Sequence, residues 1–105
     1  MNWPGAYTNK RKGLIVMLLA KVIGSVVSTV KDERLTGYKL LLVQPISPGG
    51  KKTGDTIIAA TEINAGAGDL VMVVLGSAAR LALNTDCPLD AGIIGILDRL
   101  EVENP

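Results

Sequence analysis

Apolar and polar positions alternate in short runs along the chain, and turn residues separate the runs. Leu14 to Val30 is rich in Val, Ile and Leu and carries Gly24 inside it, which predicts a long strand with a bend or bulge at the glycine. Lys31-Asp32-Glu33-Arg34 is a polar turn. Tyr38 to Ile46 predicts a second strand. Pro45 near its end implies an edge or a terminus, because proline has no N–H for the ladder. Ser47-Pro48-Gly49-Gly50-Lys51-Lys52 has the chemistry of an exposed loop. Asp55 to Ala60 and Leu70 to Leu75 predict a third and a fourth strand. Between them, Asn64-Ala65-Gly66-Ala67-Gly68-Asp69 is too glycine-rich for a helix interior. Ser77 to Ala82 favours a short helical turn. Ile93 to Leu97 predicts a further strand, and Leu100 to Val102 a short last one.

Many short strands with frequent turn signals indicate an all-β sandwich or barrel. The expectation is a small OB-like β-barrel with one short helical turn. Residues 1–13 have a different texture, with Pro4, Gly5, Asn9 and the basic cluster Lys10-Arg11-Lys12. They read as a flexible N-terminal extension to a single barrel domain spanning 14–105, which no repeat or linker divides.

Composition narrows the picture. A chain of 105 residues is one domain. A domain of this size buries roughly two-thirds of its unfolded surface, so its stability without partners is modest. Apolar residues make up 48%, but the aromatics are only Trp3, Tyr7 and Tyr38, with no Phe. The core must therefore be built of Val, Ile, Leu and Ala, with apolar residues left over for the surface. A net charge of +1 argues against a basic nucleic-acid binder. The lone Cys87 cannot form an internal disulfide, which fits a reducing cytosol. The basic cluster followed by Leu14 to Ala20 mimics a signal peptide. Lys21 interrupts that run, however, and the strand pattern continues through Val22, Val26 and Val30. No run approaches the ~18 apolar residues of a membrane span. The expectation is a cytoplasmic chain without a membrane partner.

Catalytic chemistry is scarce. There is no histidine, which removes the usual general base and the commonest metal ligand. One cysteine cannot make a thiolate zinc site. Asp86 and Asp90 around Cys87-Pro88 read as turn residues about a proline. Ser28-Thr29-Val30-Lys31 and Lys52-Thr53-Gly54 match the S-x-x-K and K-T-G elements of serine penicillin-binding enzymes. The S-D-N element is missing, the serine ends a β-branched strand where it should open a helix, and the chain is too short. Gly66-Ala67-Gly68 fails as a dinucleotide loop because Val71 stands at the third glycine position and a strand-like stretch follows. Gly50-Lys51-Lys52-Thr53 breaks the G-K-(S/T) of a phosphate loop, and Pro45 replaces its first glycine. No catalytic residue, cofactor or metal is expected. An enzyme site formed between chains is disfavoured for the same reasons. An OB-type module for single-stranded nucleic acid or oligosaccharide is the alternative. Base stacking needs aromatic platforms, and only Tyr38 lies within the predicted barrel.

Five ordered blocks carry a resemblance. Ala20-Lys21-Val22-Ile23-Gly24-Ser25-Val26-Val27-Ser28-Thr29-Val30-Lys31 resembles the opening strand of the carboxysome and ethanolamine-utilisation vertex protein family of bacterial microcompartments. Leu35-Thr36-Gly37-Tyr38-Lys39-Leu40-Leu41-Leu42-Val43-Gln44 is similar to its second block. Ala65-Gly66-Ala67-Gly68-Asp69-Leu70-Val71 resembles its A-G-x-G-(D/E)-x-V turn, and Gly76-Ser77-Ala78-Ala79-Arg80 its G-S-S-A-R segment. Asp90-Ala91-Gly92-Ile93-Ile94-Gly95-Ile96-Leu97-Asp98 resembles its closing D-A-x-I-x-G-I-x-D strand. The resemblance covers Met17 to Val102. Three departures stand out: Thr61 where the family often has an acidic residue, Ala78 for the second serine, and the extension before Met17.

The resemblance implies a β-barrel that assembles as a cyclic homopentamer, a structural vertex of a polyhedral shell otherwise tiled by hexagonal shell proteins. A pentamer among flat hexagonal tiles introduces curvature and seals the corner. A five-fold ring needs a heterologous interface, which uses apolar surface beyond one small core. By the same resemblance, Gly76, Ser77 and Ala78 are candidates for a five-fold pore, with helix capping the plainer role for Ser77. Arg80 is expected to pair with a carboxylate across the subunit interface, Asp90 and Asp98 being candidate partners. Gly66 and Gly68, with Ala78 and Ala79, would permit close backbone approach there. Lys31 and Arg34 read as solvated turn residues or as contacts to neighbouring tiles.

Overall fold

The computed structural model describes residues 7–8, 16–28, 33–83, 89–101 and 103. Its elements, in chain order, are strands β1 (Tyr7–Thr8), β2 (Val16–Ser25), β3 (Lys39–Pro45), β4 (Ile57–Thr61) and β5 (Leu70–Leu75), helix α1 (Ser77–Ala82) and strand β6 (Ala91–Leu97). A 3₁₀ turn, Glu33–Leu35, precedes β3.

The sheet runs β1-β2-β3-β4-β6-β5, and a further β2–β5 pairing closes five strands into a barrel. All pairings are antiparallel except β4 with β6, where Ala60 stands opposite Gly92. This is a five-stranded barrel of the OB kind, as the strand-and-turn pattern predicts. Within the segment read as an extension, Tyr7 pairs with Met17 and Thr8 with Val16.

The long first strand forms because its β-branched and leucine side chains suit a pleated surface buried on the inside. It bends where Gly24 sits. Val22 pairs with Val43 and Gly24 with Leu42, so Ile23 is the extra residue of a bulge. The bend lets β2 reach β5 through residues 16–21 and β3 through residues 20–25. The strand then stops at Ser25, short of the expected Val30; Val26 adds one more backbone bond, to the Leu40 carbonyl at 2.8 Å. Leu14, Thr29, Val30 and Lys31 lie outside the described residues, as do Asp32, the Lys10-Arg11-Lys12 cluster, Asp86 to Pro88 and Val102.

β3 and β5 form as expected. Pro45 is the last residue of β3, and its carbonyl accepts from the Thr53 N–H at 3.0 Å. β4 starts at Ile57, two residues later than predicted, because Thr56 turns its hydroxyl to the Gln44 carbonyl oxygen Oε1 at 3.1 Å. Gln44 is buried, and its Nε2 donates to the carbonyls of Gly54 at 2.7 Å and Pro45 at 3.0 Å. One side chain thus ties down the base of the 47–54 loop. β6 starts at Ala91, two residues early, for a packing reason given below. Leu100 and Glu101 form no strand, which corrects that expectation.

The barrel interior holds Leu18, Ala20, Val22, Leu41, Val43, Ala59, Ala65, Val71, Val73, Ala91 and Ile93. None is aromatic, as the composition requires.

Candidate assembly surfaces

The candidate residues fall into two groups at opposite ends of β5. One follows its last residue, Leu75; the other precedes its first, Leu70. A six-residue strand separates them by about 20 Å.

At the first end, Gly76 turns the chain with φ 70° and ψ −150° and is itself the N-cap of α1. The cap position therefore belongs to Gly76 and not to Ser77. Glycine is suited to it because a side chain rarely tolerates that φ. The helix is clamped to the start of β6. The Gly76 N–H donates to the Asp90 carbonyl at 2.8 Å. Arg80 Nη1 donates to the Leu89 carbonyl at 3.0 Å and meets Asp90 Oδ1 at 3.4 Å. Tyr38 OH donates to the Leu83 carbonyl at 2.8 Å, closing the other end of the helix. Arg80 is thus engaged within its own chain by one of its two expected carboxylates. Asp98 lies beyond the far end of β6.

The underside of α1 is apolar. Ala79 is fully buried, Leu83 and Val74 nearly so. A Cβ on Gly92 would lie 3.1 Å from Leu83 Cδ1 and 3.6 Å from Ala79 Cβ. The helix therefore roofs the outer wall of β5 and β6, and Gly92 leaves room for it. That close approach is why β6 begins before its first β-branched residue. It also uses Ala79 inside the chain, which corrects its assignment to an interface. Leu81, on the opposite side of the helix, is 84% exposed.

At the second end, the Gly66–Asp69 turn is built from its own polar groups. The Gly66 N–H donates to Asp69 Oδ2 at 2.8 Å, and the Asp69 N–H to the Gly66 carbonyl at 3.0 Å. Gly68 has φ +93°. The turn docks on the β2 bulge: the Gly68 N–H donates to the Val22 carbonyl at 2.8 Å, and the Val22 N–H to the Asp69 carbonyl at 2.9 Å. Thr61 is fully buried, and its Oγ1 accepts the Ile63 N–H at 2.8 Å. A hydroxyl here performs the turn-closing acceptance that a carboxylate would also make. Gly66 and Gly68 are exposed, with open space where a Cβ would stand.

Between the two ends, the outer wall is also apolar. Met17, Leu19, Met72, Leu97 and Leu100, with Pro48 at the rim, line a groove of about 220 Å³ over β2 and β5. Across the barrel, Leu42 pairs with Ile58, which is 54% exposed, and Leu40 stands one rung on. Sequence reasoning did not place either face; the signal was the unbroken apolar run of β3 and β5 where a one-sided antiparallel strand would alternate. Among the described residues no group of His, Cys, Asp and Glu could hold a metal. Tyr38, the one aromatic available for base stacking in the barrel, is half-buried with its hydroxyl engaged. Arg34 is exposed in the 3₁₀ turn.

These features define a small closed barrel whose distinctive chemistry lies in its surfaces: two apolar walls and a clamped helix. The chain belongs to the family described as ethanolamine utilisation protein EutN/carboxysome, whose model matches residues 17–98. It is 47% identical over 87 residues to the carboxysome shell vertex protein CcmL of Synechocystis sp., covering 82% of this chain and 87% of that one. It is 42% identical to the bacterial microcompartment shell vertex protein GrpN of Rhodospirillum rubrum, covering 84% of this chain and all of GrpN. The solved structure of the Rhodospirillum rubrum GrpN pentameric microcompartment shell protein superposes with a TM-score of 0.72 at 40% identity, covering 83% of this chain and 99% of GrpN.

Proposed function

We propose that this chain is a structural shell protein that forms the homopentameric vertices of a bacterial microcompartment in the cytoplasm, introducing curvature and sealing the polyhedral shell. The observation that carries this reading is the match, over nearly the whole of GrpN, to a pentameric shell protein. The fold supports it: a small barrel leaves apolar walls bare, and a ring of copies would cover them. Hexagonal shell proteins are the neighbours at each edge, and residues 1–13 are an extension to the shell unit that adds the short strand Tyr7–Thr8 to its sheet. The turn Gly76–Ala78 lines the five-fold pore. The Gly66–Gly68 turn and Asp98 at one end of the barrel, with Arg80 and Asp90 at the other, border the subunit interface.

Vertex function is tested by producing the chain together with a hexagon-forming shell protein and imaging the products by electron microscopy. Closed polyhedra that become open tubes or sheets when this chain is omitted are expected. Equal closure with and without it would overturn the reading.

A further inference from the structure

We propose that the groove over β2 and β5 is filled by the chain's own leading segment, with the Trp3 indole as its occupant. The proposal concerns the single chain and stands or falls apart from the pentamer.

The groove holds about 220 Å³ between Met17, Leu19, Met72, Leu97, Leu100 and Pro48. That is less than the ~300–1,000 Å³ of a small-molecule pocket, and no polar side chain lines it to orient a ligand. Its size and chemistry suit one large apolar side chain. Met17 and Met72 are the only methionines after Met1, and both line it. Their adaptable thioethers pack well against an aromatic ring.

The path of the chain leads there. Residues 1–6 lie outside the described residues, and the chain enters the sheet at Tyr7. Tyr7 stands opposite Met17, and β1 runs antiparallel to β2. Traced back from Tyr7, the chain heads along β2 toward Leu19, and a longer β1 would set Gly5 against Leu19. That place is taken: the Ile46 N–H donates to the Leu19 carbonyl at 3.0 Å, and Pro45 pairs with Ala20. The segment must therefore leave the sheet edge. The inner side is the closed core that holds Leu18 and Ala20, and the groove lies on the outer side. Trp3-Pro4-Gly5-Ala6 supplies the means to turn, because Pro then Gly at the central positions is the signature of a type II turn, whose ends lie within about 7 Å. Even drawn straight, the chain from Tyr7 to Trp3 spans ~14 Å. Met72 is only one strand from Leu19, ~4.8 Å away, so Trp3 reaches the groove floor in either form. An indole left in water beside an open apolar groove is the less stable arrangement. In the groove, its N–H stays at the open side.

Trp3 is the single tryptophan, so its fluorescence reads the site directly. The folded chain is expected to emit at shorter wavelength than the urea-unfolded chain and to resist acrylamide quenching. Met72→Glu, which puts a charge in the groove floor, is expected to abolish both effects. Leu100→Glu, at the groove's exposed side and outside any strand, repeats the test should the first variant disturb folding. A bismaleimide cross-link between Asn2→Cys and Leu100→Cys, in a Cys87→Ser background, is expected to join the two within one chain on a denaturing gel. Emission and quenching equal to those of the unfolded chain would overturn the proposal, as would shielding that survives both groove variants. Links formed only between chains would overturn it too, by assigning the groove to another copy's segment. None of these results changes the subunit count under native conditions, which tests the proposed function separately.

Discussion

The inner and outer walls of this barrel are made of the same residue types but are covered differently. Inside, Leu41, Val43, Val71 and Val73 are sealed by one another. Outside, the roof of α1 covers Val74 and Gly92, while Leu42, Ile58, Leu19 and Met72 stay partly open. The difference lies in what supplies the cover: the chain itself for the interior and the helix wall, and, on the proposals above, the Trp3 segment for the groove and a further copy in the pentamer for the rest. An antiparallel sheet with one wet face alternates apolar and polar residues. Strand β5 does not, nor does β3 between Leu40 and Val43, and such runs make both faces of the sheet apolar there.

The largest break of that comparison is expected inside. Leu41→Ala removes a side chain that is 2% exposed, and it should destabilise the fold by about 2–5 kcal/mol, read as a drop in the urea midpoint. A loss below that of the next variant would mean the interior is not the main source of stability.

Gly92→Val addresses the helix roof. Its Cβ would sit 3.1 Å from Leu83 Cδ1, so the Leu83 side chain that caps α1 must give way. About 1–3 kcal/mol should be lost, the usual range for overpacking. An unchanged midpoint would show that the helix does not rest on this wall.

The two glycines of the turn sharpen the comparison further. Gly68→Ala forces a side chain onto φ +93° and should cost roughly 1–2 kcal/mol in thermal or urea unfolding. Gly66→Ala meets open space and should leave chain stability within about 0.5 kcal/mol. A loss of assembly in Gly66→Ala without loss of stability would place Gly66 at the interface.

Asp90→Ala should have the smallest effect. The Asp90 side chain is 90% exposed, and its contact with Arg80 is a long one at 3.4 Å. About 0.5 kcal/mol or less is expected, because exposed ion pairs are weak and the Arg80 bond to the Leu89 carbonyl survives.

Much of the barrel is legible in the sequence. The bulge was signalled by Gly24 in a β-branched run, the end of β3 by Pro45, and the full extent of β5 by its apolar run. Three features were hidden because they depend on contacts distant in sequence. Gln44 looks like an ordinary polar residue until Gly54 and Thr56 come round to meet it. Gly92 looks like a strand weakener until α1 leans on it. The N-cap role passes to Gly76 because the turn needs a positive φ, which the neighbouring serine made easy to overlook. The second bulge, at Ile94 between Val73 and Met72 pairings, has no glycine or proline at the bulged residue itself to announce it. The candidate interface residues were identified by their motifs, but their division between two ends of the barrel emerges only once β5 separates them.

The central claim, that the open apolar walls are covered by further copies of this chain in a ring of five, is tested most directly by native mass spectrometry of the purified protein. A mass of five subunits at micromolar concentration is the expected result. A stable, folded monomer under the same conditions would contradict it.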